Sequence, residues 1–157
     1  MTNWLLVSSP ENFEASRGLD FRQAGMKSRH RRKWERVTPG DRVFLYLTGR
    51  KAIGAELRVT GAPFESHEWV WGSTAHPEED YPWRFPTEPA VILAADRFVP
   101  AEPLAREMEY TKRWPAENWT LAFQGNVHEL SDRDATLLEA AVREAAERAP
   151  AAPVRGR

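Results

Sequence analysis

No cysteine occurs among the 157 residues, which removes disulfide frameworks, thiolate zinc sites and cysteine nucleophiles together. That absence suits a reducing, cytoplasmic setting. Long apolar runs are missing as well. The run Trp4-Leu5-Leu6-Val7 stops at Ser8-Ser9-Pro10 and has no basic segment before it. It reads as neither a signal peptide nor a span, which needs about 20 apolar residues, so no membrane partner is expected. A strong charge of one sign is also lacking: the formal net charge is −1. Bulk electrostatic grip on nucleic acid recruits many unbalanced Lys and Arg, and the whole chain does not offer them. The common catalytic signatures are absent too, with no nucleophile elbow, no phosphate-cradling GxxxxGKS run and no GxGxxG after a strand. His30, His67, His76 and His128 are scattered without metal-ligand spacing, so neither a metal nor a cofactor is expected.

Locally the chain is richer. Lys27, Arg29, Arg31, Arg32 and Lys33 crowd a segment flanked by Arg22 and Arg36, with Glu35 the single acid between them, while acids gather in Glu78-Glu79-Asp80. This basic stretch reads either as a phosphate-contacting patch or as the solvated face of a short helix. Tryptophan appears seven times, enough that some indoles lie outside the core and offer flat faces for stacking.

Periodicity sketches the elements. Residues 4–7 read as a buried strand, and Ser9 caps a helix opening at Pro10. Residues 19–25 read as a loop and 28–36 as a short basic helix. Thr38-Pro39-Gly40-Asp41 is a turn leading into a buried strand over 43–47, and 52–60 alternates as a half-exposed strand, giving a hairpin. The stretch 61–89 is long, Pro-rich and aromatic, carrying Phe64, Trp69, Trp71, Tyr81, Trp83 and Phe85; a connection of that length in a compact domain is usually functional or covers something, and its aromatics read either as ligand faces or as a lid packed on the barrel. A strand resumes at 90–93, a short helix is expected at 103–107, and 114–125 looks irregular. Ser131 caps a last helix to about Arg148, with Leu137, Leu138, Ala141, Val142 and Ala145 on one stripe. Residues 1–148 are expected to form one domain, and 149–157 a disordered tail.

As an ordered set these residues resemble a known family. Asn3-Trp4-Leu5-Leu6-Val7-Ser8-Ser9-Pro10 resembles the YWLVKSEP opening of EVE domains, and Gly18-Leu19-Asp20-Phe21-Arg22-Gln23-Ala24 their GVRNYQA segment. Thr38 to Tyr46 is similar to the KxGDxVFFY strand, and Ala52-Ile53-Gly54-Ala55-Glu56-Leu57-Arg58-Val59 to the strand usually read as IVGIAEVV. The resemblance implies an α+β fold: a PUA-like/EVE β-barrel of about five to six strands, flanked by short helices and a C-terminal helix, related to YTH and ASCH domains. It also implies a reader of a modified nucleobase in DNA or RNA, working through an aromatic cage rather than by catalysis. Carried over by position, Ser8 and Ser9 match the polar pair ending the first strand. Phe21 and Gln23 fall on the pocket-rim loop, Tyr46 is a further pocket candidate, and Trp83 is the cage aromatic, with Trp71 as its substitute. Arg22, Lys27, Arg29, Arg31, Arg32 and Lys33 would contact phosphates. Val7, Ser9, Asp20 and Phe21 depart from the family's lysine, glutamate, arginine and asparagine, so the base identity does not carry over. Two other readings stand behind this one: a protein-interaction module docking through the tryptophan loop and, third, a small hydrolase of modified nucleosides using Asp20 or Glu56.

Overall fold

The computed structural model describes residues 1–148; the tail expected at 149–157 lies outside the described residues. Eight strands form one mixed sheet: β1 (Asn3–Ser8), β2 (Gln23–Met26), β3 (Arg42–Leu47), β4 (Ala52–Val59), β5 (Phe64–Glu65), β6 (Trp83–Ile92), β7 (Val99–Pro100) and β8 (Val127–Leu130). Among the described residues four α-helices accompany it, α1 (Pro10–Gly18), α2 (Arg31–Trp34), α3 (Ala101–Ala105) and α4 (Asp132–Glu147), together with short 3-10 turns. The strand order is β2-β6-β4-β3-β1-β8, with β5 on β6 and β7 on β4. β1 pairs parallel to β3 and antiparallel to β8. The sheet curls into a half-barrel with short helices and a C-terminal helix, in keeping with the PUA-like β-barrel that the resemblance implies.

The apolar alternation of the strands fills two cores. From β1, Leu5 enters one and Trp4 and Leu6 the other; from β3, Phe44 and Tyr46 separate in the same way from Val43, Leu45 and Leu47. This is the period of two of a pleated strand. The first core lies under α4, whose Leu138, Val142 and Ala145 are buried, and the second fills the barrel interior with Phe13, Met26 and Phe85. Asp41, fully buried, ties the start of β1 to the turn before β3. Its carboxylate accepts from Thr2 N at 2.8 Å, Trp4 Nε1 at 2.9 Å and Thr38 N at 2.9 Å.

Several expectations change. β2 lies partly in the stretch read as a loop, where it pairs antiparallel with β6. β6 starts at Trp83, inside the stretch read as a connection, and so shortens the connection after β5 to 66–82. Two prolines, Pro86 and Pro89, hid this strand; a proline gives no ladder donor, and β6 accommodates both while changing partners from β2 to β4. The basic helix is shorter than expected, a 3-10 turn over Ser28–His30 followed by α2. β4 is buried on both faces, not half-exposed, because α4 covers its outer side. No helix among the described residues is long and apolar enough to cross a membrane.

Candidate functional site

The two ends of the sheet approach one another beside α1, and Asn126 joins them. Its backbone carbonyl accepts from Val7 N of β1 at 2.8 Å, and its Oδ1 accepts from Lys27 N, just past β2, at 2.8 Å. Below this junction Lys33 Nζ donates to Val127 O at 3.2 Å. The barrel is therefore closed on this side by side chains where no ladder exists. A cavity of about 620 Å³ opens above the junction, and Ser9, Asn12, Lys27, Trp69, Tyr81 and Asn126 are among the residues that line it. A slot of about 30 Å³ lies deeper, walled among others by Ser8, Ser16, Gln23, Gly25 and Trp71.

The aromatic loop 66–82 is held down at several points. Asn12 of α1 meets Gly72 with both ends of its amide, Nδ2 donating to Gly72 O at 2.9 Å and Oδ1 accepting from Gly72 N at 3.0 Å. Trp71 Nε1 donates to Ser16 Oγ at 2.9 Å. The Trp71 ring lies so close over Gly25 that a Cβ there would stand 2.7 Å from Trp71 Cζ3, so glycine is what admits the indole. Arg84 is 2% exposed and donates to Tyr81 O at 3.0 Å, to Gln23 Oε1 at 3.1 Å and to Glu68 O, with its guanidinium 5.1 Å from the Trp71 ring centroid. At the loop's base His67 sits between Glu65, 2.8 Å from Nε2, and Asp80, 2.5 Å from Nδ1. Hydrogen bonds to Asp80 and then Glu65 raise its pKa, since both partners favour the doubly protonated ring.

Of the seven base-pocket residues expected from the sequence, Ser9 lines the cavity, and Ser8, Gln23 and Trp71 line the slot. Phe21, Tyr46 and Trp83 line neither. Phe21 has φ +53 and packs edge-on against Phe13, 5.2 Å between centroids. Tyr46 belongs to the core under α4, against Phe123 at 4.9 Å. Trp83 faces Trp34 at 4.9 Å and donates from Nε1 to Ser28 O at 2.7 Å. Among the phosphate candidates, Lys27 lines the cavity and with Arg29 stands 3.8 Å from Glu79. Arg31 pairs with Glu35 at 3.6 Å and lies over Trp83. Arg22 and Arg32 are exposed.

Sequence reasoning passed over Asn12, Trp69, Tyr81 and Asn126 as site residues. Trp69 and Tyr81 belonged to the aromatic loop already singled out. Asn12 and Asn126 carry no motif, and only the packed chain reveals them. Asn126 Nδ2 makes no hydrogen bond among the described residues and is not sealed off as a buried orphan atom, so it is an unspent donor on the cavity wall. Tyr81 is 7% exposed; burial raises its hydroxyl pKa, with the Glu79 charge adding to it, so the phenol stays neutral at physiological pH.

The two carboxylates of the hydrolase reading do not meet here. Asp20 is exposed at φ +53, and Glu56 faces α4, 3.6 Å from Arg143 and 3.5 Å from Arg58. Burial, with help from Glu139, pushes the Glu56 carboxyl up to about 7. A raised acid pKa means stability fully present below about pH 4.5 and lost as pH rises through 7. His30 has the opposite sign: burial, then Lys33 and Arg29, lower it to about 4, so its contribution holds above about pH 6.5 and falls as pH drops through 4. Glu56→Gln removes only the first trend. Relative to the unchanged protein it should gain about 1–3 kcal/mol between pH 4.5 and pH 8 in denaturant titrations; a difference that stays constant with pH contradicts the assignment.

No family model matches the chain. A UPF0310 protein of Pyrococcus horikoshii is 24% identical over 149 residues, covering 88% of this chain and 97% of that protein. The structure of human THYN1 in complex with DNA containing 5-methylcytosine superposes with a TM-score of 0.57 at 14% identity, covering 96% of this chain and all of that one. The YTH domain of mmi1 in complex with RNA gives a TM-score of 0.66 at 5% identity, covering 92% of this chain and 82% of that one. The curled sheet, the helix that closes it and these superpositions agree with the resemblance read from the opening strands: the chain has the PUA-like fold of the EVE and YTH domains.

Proposed function

We propose that this protein is a nucleic-acid reader that takes one nucleobase, a modified one, out of a DNA or RNA strand and into the cavity beside Asn126. The observation that carries the reading is the composition of the cavity. Its volume, about 620 Å³, falls in the range of small-molecule sites. Trp69, 65% exposed, and Tyr81 supply aromatic faces, Asn126 Nδ2 and Ser9 Oγ can address the edge of a base, and Lys27 stands where a phosphate would pass. These are the parts that base recognition outside a duplex requires. THYN1 with methylated DNA and mmi1 with RNA, which share the fold, support the choice of ligand. Ser8, Gln23 and Trp71 then form the floor, while Trp83 holds Arg31 and the start of α2 in place beside Arg29, Arg32 and Lys33, which steer phosphates.

The reading as a protein-docking module has less to support it. Among the described residues, the large apolar side chains left exposed besides Met1 are Phe64, Trp69 and Leu121, and a docking patch needs a broad apolar face. Hydrolysis would require an acid or base converging on the cavity, and Glu11, exposed on its rim, is the one carboxylate there among the described residues.

The test is a binding screen of modified and unmodified single-stranded oligonucleotides at two salt concentrations, with free nucleosides followed for consumption. Trp69→Ala should weaken the preferred oligonucleotide about 5- to 100-fold, the worth of one stacking contact, and leave the melting temperature unchanged because the ring is largely exposed. Equal affinity removes Trp69 from the site. Binding of no oligonucleotide rejects the reading, and consumption of a nucleoside replaces it with the enzymatic one.

A further inference from the structure

We infer that the seam between β8 and the basic segment before β3 is a track for the strand flanking the inserted base, ending in a second, phosphate-taking site formed by Lys33 and Arg113 over Tyr110. This rests on the base-reader reading and extends it to the length and direction of strand that the protein holds.

A separate depression of about 400 Å³ is lined by Lys33, Tyr110, Arg113, Glu129, Leu130 and Ser131. It lies at the far end of β8 from Asn126. From Asn126 to Leu130 a strand rises about 13 Å, the span of about four stacked nucleotides and of fewer in an extended strand. Lys33 connects the two places, since its ammonium bonds Val127 O within the seam and its side chain lines the depression.

The charges favour an anion at this end. Arg113 is exposed, makes no hydrogen bond or ion pair among the described residues, and stands 5.8 Å from the Tyr110 ring centroid. Tyr110 is fixed from below by its hydroxyl contact with His128 Nδ1 at 2.6 Å. Of the acids nearby, Glu129 pairs with Arg36, while Glu109 accepts from the Ser131 hydroxyl at 3.1 Å and stays charged. Neither Lys33 nor Arg113 forms an ion pair with an acid among the described residues, so both charges are open to a ligand. His30 senses the same field, because Lys33, Arg29 and Lys27 add to burial in keeping its ring neutral. A strand anchored by its base at the cavity presents its next phosphates along the seam at high effective concentration, so even a shallow site gains occupancy.

The probes are single-stranded DNAs carrying 5-methylcytosine, and their unmodified counterparts, extended by one to four nucleotides on the 5′ or the 3′ side. In the unchanged protein, extension on one side should raise affinity roughly three- to tenfold, as expected for one charge-assisted phosphate contact. Arg113→Ala should abolish that gain and lower the salt slope by about one. The gain from the other side, the ratio of modified to unmodified affinity and the melting temperature should all stay as they were. An equal length gain and an equal slope in Arg113→Ala overturn the proposal. If modified and unmodified strands bind alike, the cavity reading fails for this base, and the salt slope on the unmodified strands still decides for or against the seam.

Discussion

Replacing Trp71 by alanine is expected to cost about 3–5 kcal/mol of stability in denaturant unfolding, the range for truncating a buried tryptophan. The ring is 6% exposed, lies against Gly25, stands near Tyr81 with 6.0 Å between centroids and spends its N–H on Ser16. Removing it empties the floor of the slot and frees the Arg84 guanidinium that rests on it. Loss of oligonucleotide binding should follow, because loop 66–82 carries Trp69 and Tyr81. The result that would contradict this is a variant as stable as the parent that has lost binding alone: Trp71 would then be a contact face for the base and not a wall of the fold.

Asn126→Ala should also be severe, for two separable reasons. It leaves the partly buried Lys27 N without its acceptor where the sheet ends meet, at a cost of about 1 kcal/mol, toward the low end for an orphaned donor. It also deletes the free Nδ2 on the cavity wall, and a site built to hydrogen-bond a base should lose at least about tenfold in affinity when that donor goes. Asn126→Asp separates the two. An aspartate keeps the oxygen that receives Lys27 N, so the fold should hold, but it offers the base an acceptor where the asparagine offered a donor. Intact stability with lost or altered base preference is the expected pair of results; unaltered preference would place Asn126 in the closure of the barrel alone.

These two residues show where sequence reasoning reached and where it stopped. The pattern around β1, β3, β4 and α4 was readable because each element has a period and a boundary of its own: the Ser9 and Ser131 caps, which accept from Asn12 N and Asp134 N, and the turn at Pro39-Gly40. Short pieces were not readable. β2 and β8 each have four residues, too few for a period to emerge, and exist because β6 and β1 offer them edges. The half-exposed reading of β4 failed at Glu56, a residue with every local sign of a surface strand that α4 covers. In the site, composition singled out the loop that walls the cavity but could not choose among its aromatics. Which ring faces the cavity depends on α2, which draws Trp83 toward Trp34, and on α1, which holds the loop through Asn12. Tyr46, a pocket candidate from the sequence, lies by its strand phase with Phe44 on the α4 side; periodicity gives two faces without saying which one a ligand reaches.

The junction at Asn126 has a consequence for how the protein is made. Lys27 and the residue that receives its N–H are 99 positions apart, which at about 5–20 residues per second is roughly 5–20 s of synthesis. Hairpin formation takes microseconds, so β3 and β4 can pair and β1 can join them long before β8 leaves the ribosome. Throughout that interval the outer edge of β1, with Trp4, Leu5 and Leu6, has no neighbour. An apolar edge left open invites pairing with another chain, so the nascent protein carries an aggregation-prone edge until the four-residue β8 arrives to cover it.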